Sequence, residues 1–280
     1  MTLHFTKMHG LANDYIYIDC FREDISGIDL PELSRRLSRR RYSVGADGII
    51  LIAPSERADC KMEIYNADGS LAMMCGNGIR CVGKYVYDRK IVQKRTLTVE
   101  TRSGIKTLYL DTGADGHVSE VRVDMGKFST DRDDIPTLLP KTVNVPLSVD
   151  GMEFIVTCVS MGNPHCVIFL DGDAESFPVQ TLGSKIENHP MFPERANVEF
   201  VKIKNRRELI MRVWERGSGE TFACGTGACA SAAAAYICGH TDSEATVHLR
   251  GGDLKIKIED DDSVFMTGAA ELVYDGTIEI

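Results

Sequence analysis

The 280-residue sequence predicts an α+β fold of two pseudo-symmetric domains, each a curled mixed or antiparallel sheet around a central helix. One observation behind this prediction is a repeat of short motifs at a spacing of 149 or 150 residues, which indicates an internal duplication. Another is that the chain carries many short strand patterns rich in β-branched residues. The third is a helix pattern late in each copy. The one at 227–238 has so much Ala and so little charge that we expect it to be buried.

The repeat places matching motifs in the same order in both halves. Its clearest member is Cys75-Gly76-Asn77-Gly78, which returns 149 residues later as Cys224-Gly225-Thr226-Gly227. Three further pairs keep the offset at 149 or 150: Asn13-Asp14-Tyr15 with Asn163-Pro164-His165, Gly45-Ala46-Asp47 with Arg195-Ala196-Asn197, and Ile64-Tyr65-Asn66 with Val213-Trp214-Glu215. A drift of one residue over such a length indicates two copies of one domain.

The predicted elements set the expected domain limits. The patterns favour strands at 16–19, 48–52, 60–65, 96–100 and 106–111, and helices at 31–41, 78–88 and 227–238. The segment from Lys127 to Pro146 contains three prolines and is predicted to cross between the copies. A C-terminal strand over 271–280 has no clear partner in the second copy, so we expect it to complete the first domain. The expected domains are therefore residues 1–122 with 269–280, and residues 123–268.

Composition and charge exclude several classes of protein. A net charge of −9 argues against a nucleic-acid-binding protein, which normally presents a basic face. No apolar run approaches the roughly 20 residues that cross a bilayer, and the first residues lack the apolar core of a signal peptide. Nine cysteines, an odd number at irregular spacing, do not form the pattern of a disulfide scaffold. We therefore expect a cytoplasmic protein with reduced thiols that binds neither nucleic acid nor membrane.

The two Cys-Gly-x-Gly motifs hold the candidate catalytic residues. Each is predicted to open a helix, where unpaired backbone N–H groups and the helix dipole favour a bound carboxylate and a thiolate. Two such cysteines at equivalent places predict symmetric chemistry, with a base on one face of a carbon and an acid on the other. Cys75 and Cys224 therefore indicate an amino-acid epimerase. No lysine lies in a recognisable pyridoxal-phosphate motif, so we expect no cofactor. We also expect no metal.

Six ordered strings resemble those of the diaminopimelate epimerase family. They are MHGLANDY from Met8, YNADGS from Tyr65, MCGNG from Met74, SMGNPHC from Ser160, PERANVEF from Pro193 and WERGSGETFACGTG from Trp214. The resemblance runs from residue 5 to about residue 230, and Tyr274-Asp275-Gly276 also fits. It implies conversion of a small amino-acid substrate, LL-2,6-diaminopimelate, into its meso form, in lysine and peptidoglycan-precursor synthesis. It also implies two domains, each a sheet curled around a central helix, with the site in the cleft between them.

The resemblance also implies roles for individual residues. Cys75 and Cys224 would be the acid/base pair, His165 and Glu215 would modulate the thiol pKa values, and Arg216 would bind the distal carboxylate. The implied substrate contacts are Asn13, Asn66, Gly76, Asn77, Asn163, Asn197, Glu215, Arg216, Gly225 and Thr226.

Two positions depart from the family pattern. Ala12 stands where the family usually has a second glycine, so we expect a slightly stiffer loop that still functions. Gly48 follows Asp47 where some members have Gln, so we expect one hydrogen bond on the amine side to pass to water or to the backbone.

Two other functions remain open from the sequence. A proline or hydroxyproline racemase of the same fold would keep both thiols but would have no use for Arg216 and the several asparagines. Phenazine-type isomerases of this fold lack the cysteine pair and fit worse. A non-catalytic thiol-redox or zinc-binding protein would need neither feature, although the absence of any Cys-x-x-Cys pair weakens the zinc alternative.

The C-terminal strand suggests a homodimer. Val273, Tyr274 and Ile278 make it apolar enough to pack against a second copy, and tyrosine is favoured at interfaces. We therefore assign Tyr274 as a dimer contact. The alternative is that it packs within its own domain.

Overall fold

The computed structural model describes every residue from Met1 to Ile280 and divides the chain into two compact units. Unit 1 consists of Met1–Val123 and Thr267–Ile280, and unit 2 of Asp124–Met266. The predicted limits, 122/123 and 268/269, lie within two residues of these boundaries. The proline-containing segment predicted to cross between the copies lies inside unit 2, because the chain leaves unit 1 earlier, within a strand.

Unit 1 contains two helices and a mixed sheet. Its strands follow the order β1-β2-β3-β4-β6-β7-β8, with β5 paired to β4, and the pairs β2–β3 and β4–β6 are parallel. The elements are β1 (Thr2–Gly10), β2 (Asn13–Asp19), α1 (Leu30–Ser38), β3 (Gly48–Ala53), β4 (Cys60–Asn66), β5 (Leu71–Ala72), α2 (Gly76–Asp88), β6 (Thr96–Thr101), β7 (Gly104–Thr112) and β8 (Val118–Lys127).

Unit 2 repeats this plan. Its strands follow the order β9-β10-β11-β12-β13-β15-β16, with β14 paired to β13, and the pairs β11–β12 and β13–β15 are parallel. The elements are β9 (Val145–Val149), β10 (Met152–Ser160), β11 (Pro164–Phe169), α3 (Val179–Glu187), β12 (Asn197–Asn205), β13 (Glu208–Glu215), β14 (Gly219–Thr221), α4 (Gly225–Ile237), β15 (Glu244–Leu249), β16 (Gly252–Ile258) and β17 (Ser263–Gly268).

The C-terminal strand completes unit 1, as predicted. This strand, β18 (Glu271–Glu279), pairs antiparallel with β1 from Thr2 opposite Glu279 to His9 opposite Glu271, with one register shift between Lys7 and Met8. In unit 2 the corresponding place beside β10 is taken by β9. The two units therefore use strands from different ends of the repeat to close the same edge, which confirms the duplicated α+β fold.

The second helix of each unit is the buried one. Ten of the 13 residues of α4 are buried, on all of its faces, and α4 contacts six strands of unit 2. The prediction of a core helix from the Ala run is confirmed. Both α2 and α4 begin two residues earlier than predicted, because a cysteine caps each start. None of the four helices combines the length and the apolar character that a bilayer crossing requires.

Helix α1 is shorter than predicted. It begins after the N-cap Asp29, whose side chain accepts from the Glu32 N–H, and it ends at Ser38 instead of Arg41. Arg39 is extended, and Arg41 has a left-handed backbone with φ 73°. The end of the arginine run is therefore a loop.

The turn between β1 and β2 is strained. Leu11 and Ala12 both have positive φ, 58° and 65°, and the residues that flank them, Gly10 and Asn13, pair across the hairpin. A two-residue hairpin of this kind favours Asn and Gly, because a Cβ atom at positive φ crowds the backbone. The expectation of a stiffer loop at Ala12 therefore has a structural counterpart, a strained turn immediately before Asn13.

We expect Ala12→Gly to raise the free energy of unfolding by about 0.5–1 kcal/mol. Relief of the left-handed strain contributes about 1–2 kcal/mol, and the extra entropy that glycine gives the unfolded chain offsets part of it. Urea denaturation measures the difference. Ala114→Gly, in an exposed turn without positive φ at the alanine, is the matched control and should lower stability. Loss of stability in both variants would contradict the assignment of strain to Ala12.

Candidate active site

The Cys75 thiol caps the start of α2. Its backbone is extended, with φ −136° and ψ 115°, and the Gly78 N–H donates to its sulfur at 3.3 Å. Cysteine thus takes the place that Ser, Thr, Asp or Asn usually occupies at a helix start. The sulfur satisfies one unpaired N–H group and lies at the positive end of the helix dipole.

Asn13 holds the other side of the Cys75 sulfur. Its Oδ1 accepts from the thiol at 3.2 Å, and its Nδ2 donates to Asp47 Oδ2 at 2.8 Å. An ionised carboxylate can only accept, so Asp47 turns the oxygen of the Asn13 amide toward the sulfur. Tyr15 lies beside them, and burial, followed by the charge of Cys75, raises the pKa of its phenol well above the usual value.

A charged network supports this amide. Lys7 pairs with Asp14 at 2.5 Å, and Arg40 bridges Asp14 at 2.5 Å and Asp47 at 3.0 Å. Burial raises the pKa of Asp14, but the hydrogen bonds from Arg40 and Lys7 outweigh it, so the pKa is lowered overall. Asp14 therefore stays ionised at neutral pH and ties the β1–β2 hairpin to Asp47.

Arg80 supports the first turn of α2 from inside the unit. Its side chain is fully buried and donates to Gly76 O at 3.1 Å, to Asn77 Oδ1 at 3.0 Å and to Ala269 O at 3.1 Å. Three oxygens from two parts of the chain thus share one guanidinium, whose planar fork suits several acceptors. Asn77, an expected substrate contact, is itself 2% exposed.

Gly48 and Asn66 face each other across β3 and β4. A Cβ atom on Gly48 would lie 2.2 Å from the Tyr65 carbonyl oxygen, so no side chain fits while the strands stay this close. Asn66 is partly exposed at the end of β4, and its Nδ2 donates to Ser70 Oγ at 3.0 Å. The departure at Gly48 is therefore coupled to the packing of the strand that carries Asn66.

In unit 2, Cys224 repeats the arrangement of Cys75. It is the N-cap of α4, with φ −124° and ψ 113°, and its sulfur accepts from the Gly227 N–H at 3.4 Å. The Thr226 hydroxyl lies 3.6 Å from the same sulfur. Gly225 and Thr226 form the first turn of the helix, as Gly76 and Asn77 do in α2.

A chain of hydrogen bonds leads from Thr226 into the interior of unit 2. Asn163 Nδ2 donates to Thr226 Oγ1 at 3.4 Å, and Asn163 Oδ1 lies 3.1 Å from His165 Nε2. His165 Nδ1 is 2.6 Å from Glu199 Oε1, and both of these side chains are fully buried. Burial raises the pKa of Glu199, although the neighbouring His165 opposes this.

The surroundings of Cys224 reverse one expectation. A helix start alone was expected to lower the pKa of both thiols. For Cys224, burial first, and then the charges of Glu215 and Glu199, raise the pKa well above the usual value, and the donors Thr226 and Gly227 offset this only in part. The expectation of a lowered pKa is wrong for Cys224, because the sequence does not reveal how deeply the thiol is buried.

The turn after β13 carries Glu215 and Arg216. Glu215 Oε1 accepts from the Thr221 hydroxyl at 2.5 Å, and the Arg216 guanidinium donates to Glu194 O at 3.1 Å. Asn197 is 4% exposed, and its amide joins Pro164 O at 2.9 Å to the Arg216 N–H at 2.9 Å. In this structure the polar atoms of Asn197 therefore hold the protein backbone.

The structure brings most of the predicted residues into contact with their local thiol or with the turn beside it. Asn13 contacts Cys75 directly, whereas Asn163 reaches Cys224 through Thr226. Three supporting residues were given no role from the sequence: Asp47, Arg80 and Glu199. Glu199 carried a signal, because it interrupts an otherwise apolar strand between Val198 and Phe200. Nowhere are three or more His, Cys, Asp or Glu side chains grouped so that they could hold a metal ion.

Comparison with known proteins gives consistent results. The family model described as diaminopimelate epimerase matches residues 5–130 and 157–273. Similar curated proteins named diaminopimelate epimerase come from Acetivibrio thermocellus, 50% identical over 99% of both chains, and from Leptospira biflexa, 47% identical over all of both chains. Another, from Moorella thermoacetica, is 50% identical over 98% of both chains.

Solved structures share the fold at low sequence identity. A phenazine biosynthesis protein of the PhzF family from Bacillus anthracis matches with a TM-score of 0.72 at 14% identity, covering all of both chains. A probable proline racemase from Agrobacterium radiobacter matches with a TM-score of 0.70 at 15% identity, covering 99% of this chain and 92% of that one. At such low sequence identity these likenesses concern the fold alone, and they confirm the predicted fold class.

Proposed function

This chain belongs to the diaminopimelate epimerase family and is an isomerase, and on this premise we propose that it interconverts LL- and meso-2,6-diaminopimelate with Cys75 and Cys224 as its acid/base pair. The observation that carries the proposal is the matched setting of the two sulfurs. Each is the N-cap of the buried helix of its unit and accepts the N–H of the glycine three residues on.

In the proposed mechanism the chain's own groups do all the chemistry. One sulfur, as thiolate, takes the α-proton of the substrate, and the other, as thiol, gives its proton to the opposite face of the same carbon. The substrate keeps its proton count, its configuration inverts, and the two sulfurs exchange protonation states. Backbone N–H groups at the two helix starts would bind the α-carboxylate and stabilise the negative charge that develops beside it.

The distal amino-acid head would be recognised by Arg216 together with Asn66, Asn163 and Asn197. The proposal includes a cytoplasmic location and a role in lysine biosynthesis, since the mechanism needs both thiols reduced. It includes no pyridoxal phosphate. The charged supports of Asn13 and the buried chain behind Asn163 favour this reading, because they fix polar groups beside both thiols.

We expect Cys75→Ala and Cys224→Ala each to lower epimerisation at least about a thousandfold, because each sulfur serves only one face of the carbon. Incubation of LL-diaminopimelate in deuterated water, with chiral separation and mass spectrometry, measures it. The wild-type enzyme should yield meso product with deuterium at one carbon. Cys20→Ala is the control and should remain active. Turnover of proline instead of diaminopimelate would favour the racemase alternative, and near wild-type activity in Cys75→Ala would refute the two-thiol mechanism.

We expect Arg216→Lys to lower kcat/KM for diaminopimelate about tenfold or more with little change in thermal stability. Lysine keeps the charge but loses the planar fork that binds a carboxylate with two hydrogen bonds. Steady-state kinetics measure the effect, with the exposed Arg206→Lys as the matched control. An unchanged kcat/KM would place Arg216 outside the substrate site.

We also propose a homodimer that uses β18. Leu272, Val273 and Tyr274 are 43%, 52% and 41% exposed on this strand, which pairs with β1 along one edge. Tyr274 also packs its ring edge-on against Phe5, with centroids 5.9 Å apart, so it has a contact inside its own unit as well. An exposed apolar strand of this kind suits association with a second copy.

Sedimentation velocity tests the dimer. We expect a dimer for the wild type and a monomer for Val273→Asp, which places a charge in the interface without disturbing the Phe5–Tyr274 contact. Tyr274→Ala should weaken the dimer while remaining folded by circular dichroism. Ile105→Asp, on an apolar residue that is 43% exposed on β7, is the control and should remain dimeric. A monomeric wild type at micromolar concentration would refute the proposal.

A further inference from the structure

One buried carboxylate in unit 2 holds the turn that carries Glu215 and Arg216. Glu187, the last residue of α3, is 5% exposed. Its Oε1 accepts from the Gly217 N–H at 2.8 Å and from Arg195 Nη1 at 3.3 Å, and its Oε2 accepts from the Trp214 indole N–H at 2.7 Å. Residues on both sides of Glu215 and Arg216 are therefore tied to a single side chain.

Helix α3 is shaped to make this contact. Gly183 lies one helical turn before Glu187, on the same face. A Cβ atom at Gly183 would lie 2.5 Å from the Trp214 Cβ, so the absent side chain lets the helix approach β13 closely. A Cβ atom at Gly219 would lie 3.6 Å from the six-membered ring of the same indole. The Trp214 side chain therefore packs against both α3 and the turn that follows β13.

Unit 1 ties the matching turn to its first helix with different residues. The Ser34 hydroxyl of α1 lies 3.0 Å from Tyr65 O and 2.7 Å from Asn66 O, and Arg35 of the same helix donates to Asp68 O at 3.3 Å. In both units, then, the first helix holds the turn after the strand that ends in a candidate substrate contact. The repetition with different chemistry indicates that the placement of the turn is what matters.

We propose that Glu187 is a positioning residue that fixes the Glu215–Gly219 turn and so presents Arg216 for binding the distal carboxylate of the substrate. The inference rests on the proposed function of Arg216. It requires an ionised carboxylate, because both oxygens of Glu187 accept from N–H donors and an amide at this place would turn an NH₂ group toward one of them.

The test uses Glu187→Gln, Trp214→Phe and the double variant. In Glu187→Gln one N–H donor meets the new amide NH₂, so the turn loosens. We expect faster hydrogen–deuterium exchange in peptides covering 214–219, and a KM for diaminopimelate raised about tenfold with kcat changed less than about threefold. Trp214→Phe removes the indole donor and one ring of the side chain but keeps the Gly217 N–H bond to Glu187, so KM should stay near the wild-type value.

The double variant decides the mechanism. With phenylalanine at 214, the glutamine can turn its NH₂ toward the vacated place and its oxygen toward Gly217, so slow exchange and a low KM should return. A purely structural role would make the double variant worse than either single one. If Glu187→Gln does not fold, Glu187→Asp replaces it, since its carboxylate is one methylene too short to reach both donors.

The outcomes separate this inference from the proposed function. Unchanged exchange in the 214–219 peptides, or faster exchange with an unchanged KM, would overturn the positioning role. Absence of diaminopimelate turnover in the wild type would refute the proposed function instead. In that case the hydrogen–deuterium exchange measurement, which needs no substrate, still decides whether Glu187 orders the turn.

Discussion

The hydrogen bond from a backbone N–H to a cysteine sulfur at the start of each buried helix is the contact on which the rest of the site depends. A sulfur can act as N-cap only if its own backbone is extended and the next turn closes over it. In both helices the residue that donates to the sulfur is a glycine. A Cβ atom would lie 2.7 Å from Glu199 Oε1 at Gly227 and 2.7 Å from Ile50 Cδ1 at Gly78, so neither turn has room for a side chain there. The position of each thiol is therefore fixed by the helix, and the helix is fixed by burial within its sheet.

The duplication keeps the position of the two thiols but not their electrostatic surroundings. Cys75 meets an asparagine whose amide is set by Asp47, within a network of Lys7, Asp14 and Arg40 near the surface. Beside Cys224 the corresponding asparagine, Asn163, contacts His165, which in turn contacts Glu199, and the side chains of His165 and Glu199 are completely buried. An enzyme that inverts a carbon needs one proton donor and one acceptor at a time, and the two sulfurs exchange these roles in the reverse reaction, so both need polar support but not the same residues.

The sequence predicted what depends on local pattern and on repetition. The two thiols, their helices, the core position of α4 and the return of β18 to unit 1 all follow from spacing or periodicity. The supports behind the thiols do not, because they depend on which side chains meet after folding. Arg80 looks like an ordinary helical arginine in the sequence, and Glu187 ends a helix that the sequence patterns did not predict, yet both are almost entirely buried. The pKa of Cys224 could not be predicted for the same reason, since burial is its largest cause.

The acidic character of the chain makes the helix starts more important. With a net charge of −9, the protein's overall field does not help to hold the two carboxylates of a substrate that also carries two ammonium groups. Donors that belong to the backbone, in the first turns of α2 and α4, do not titrate as a side chain can. Their direction is set by the buried helices α2 and α4. The Ala run of α4, which reads as simple core packing, therefore also determines where the donors beside Cys224 point, and loosening that core would displace them together.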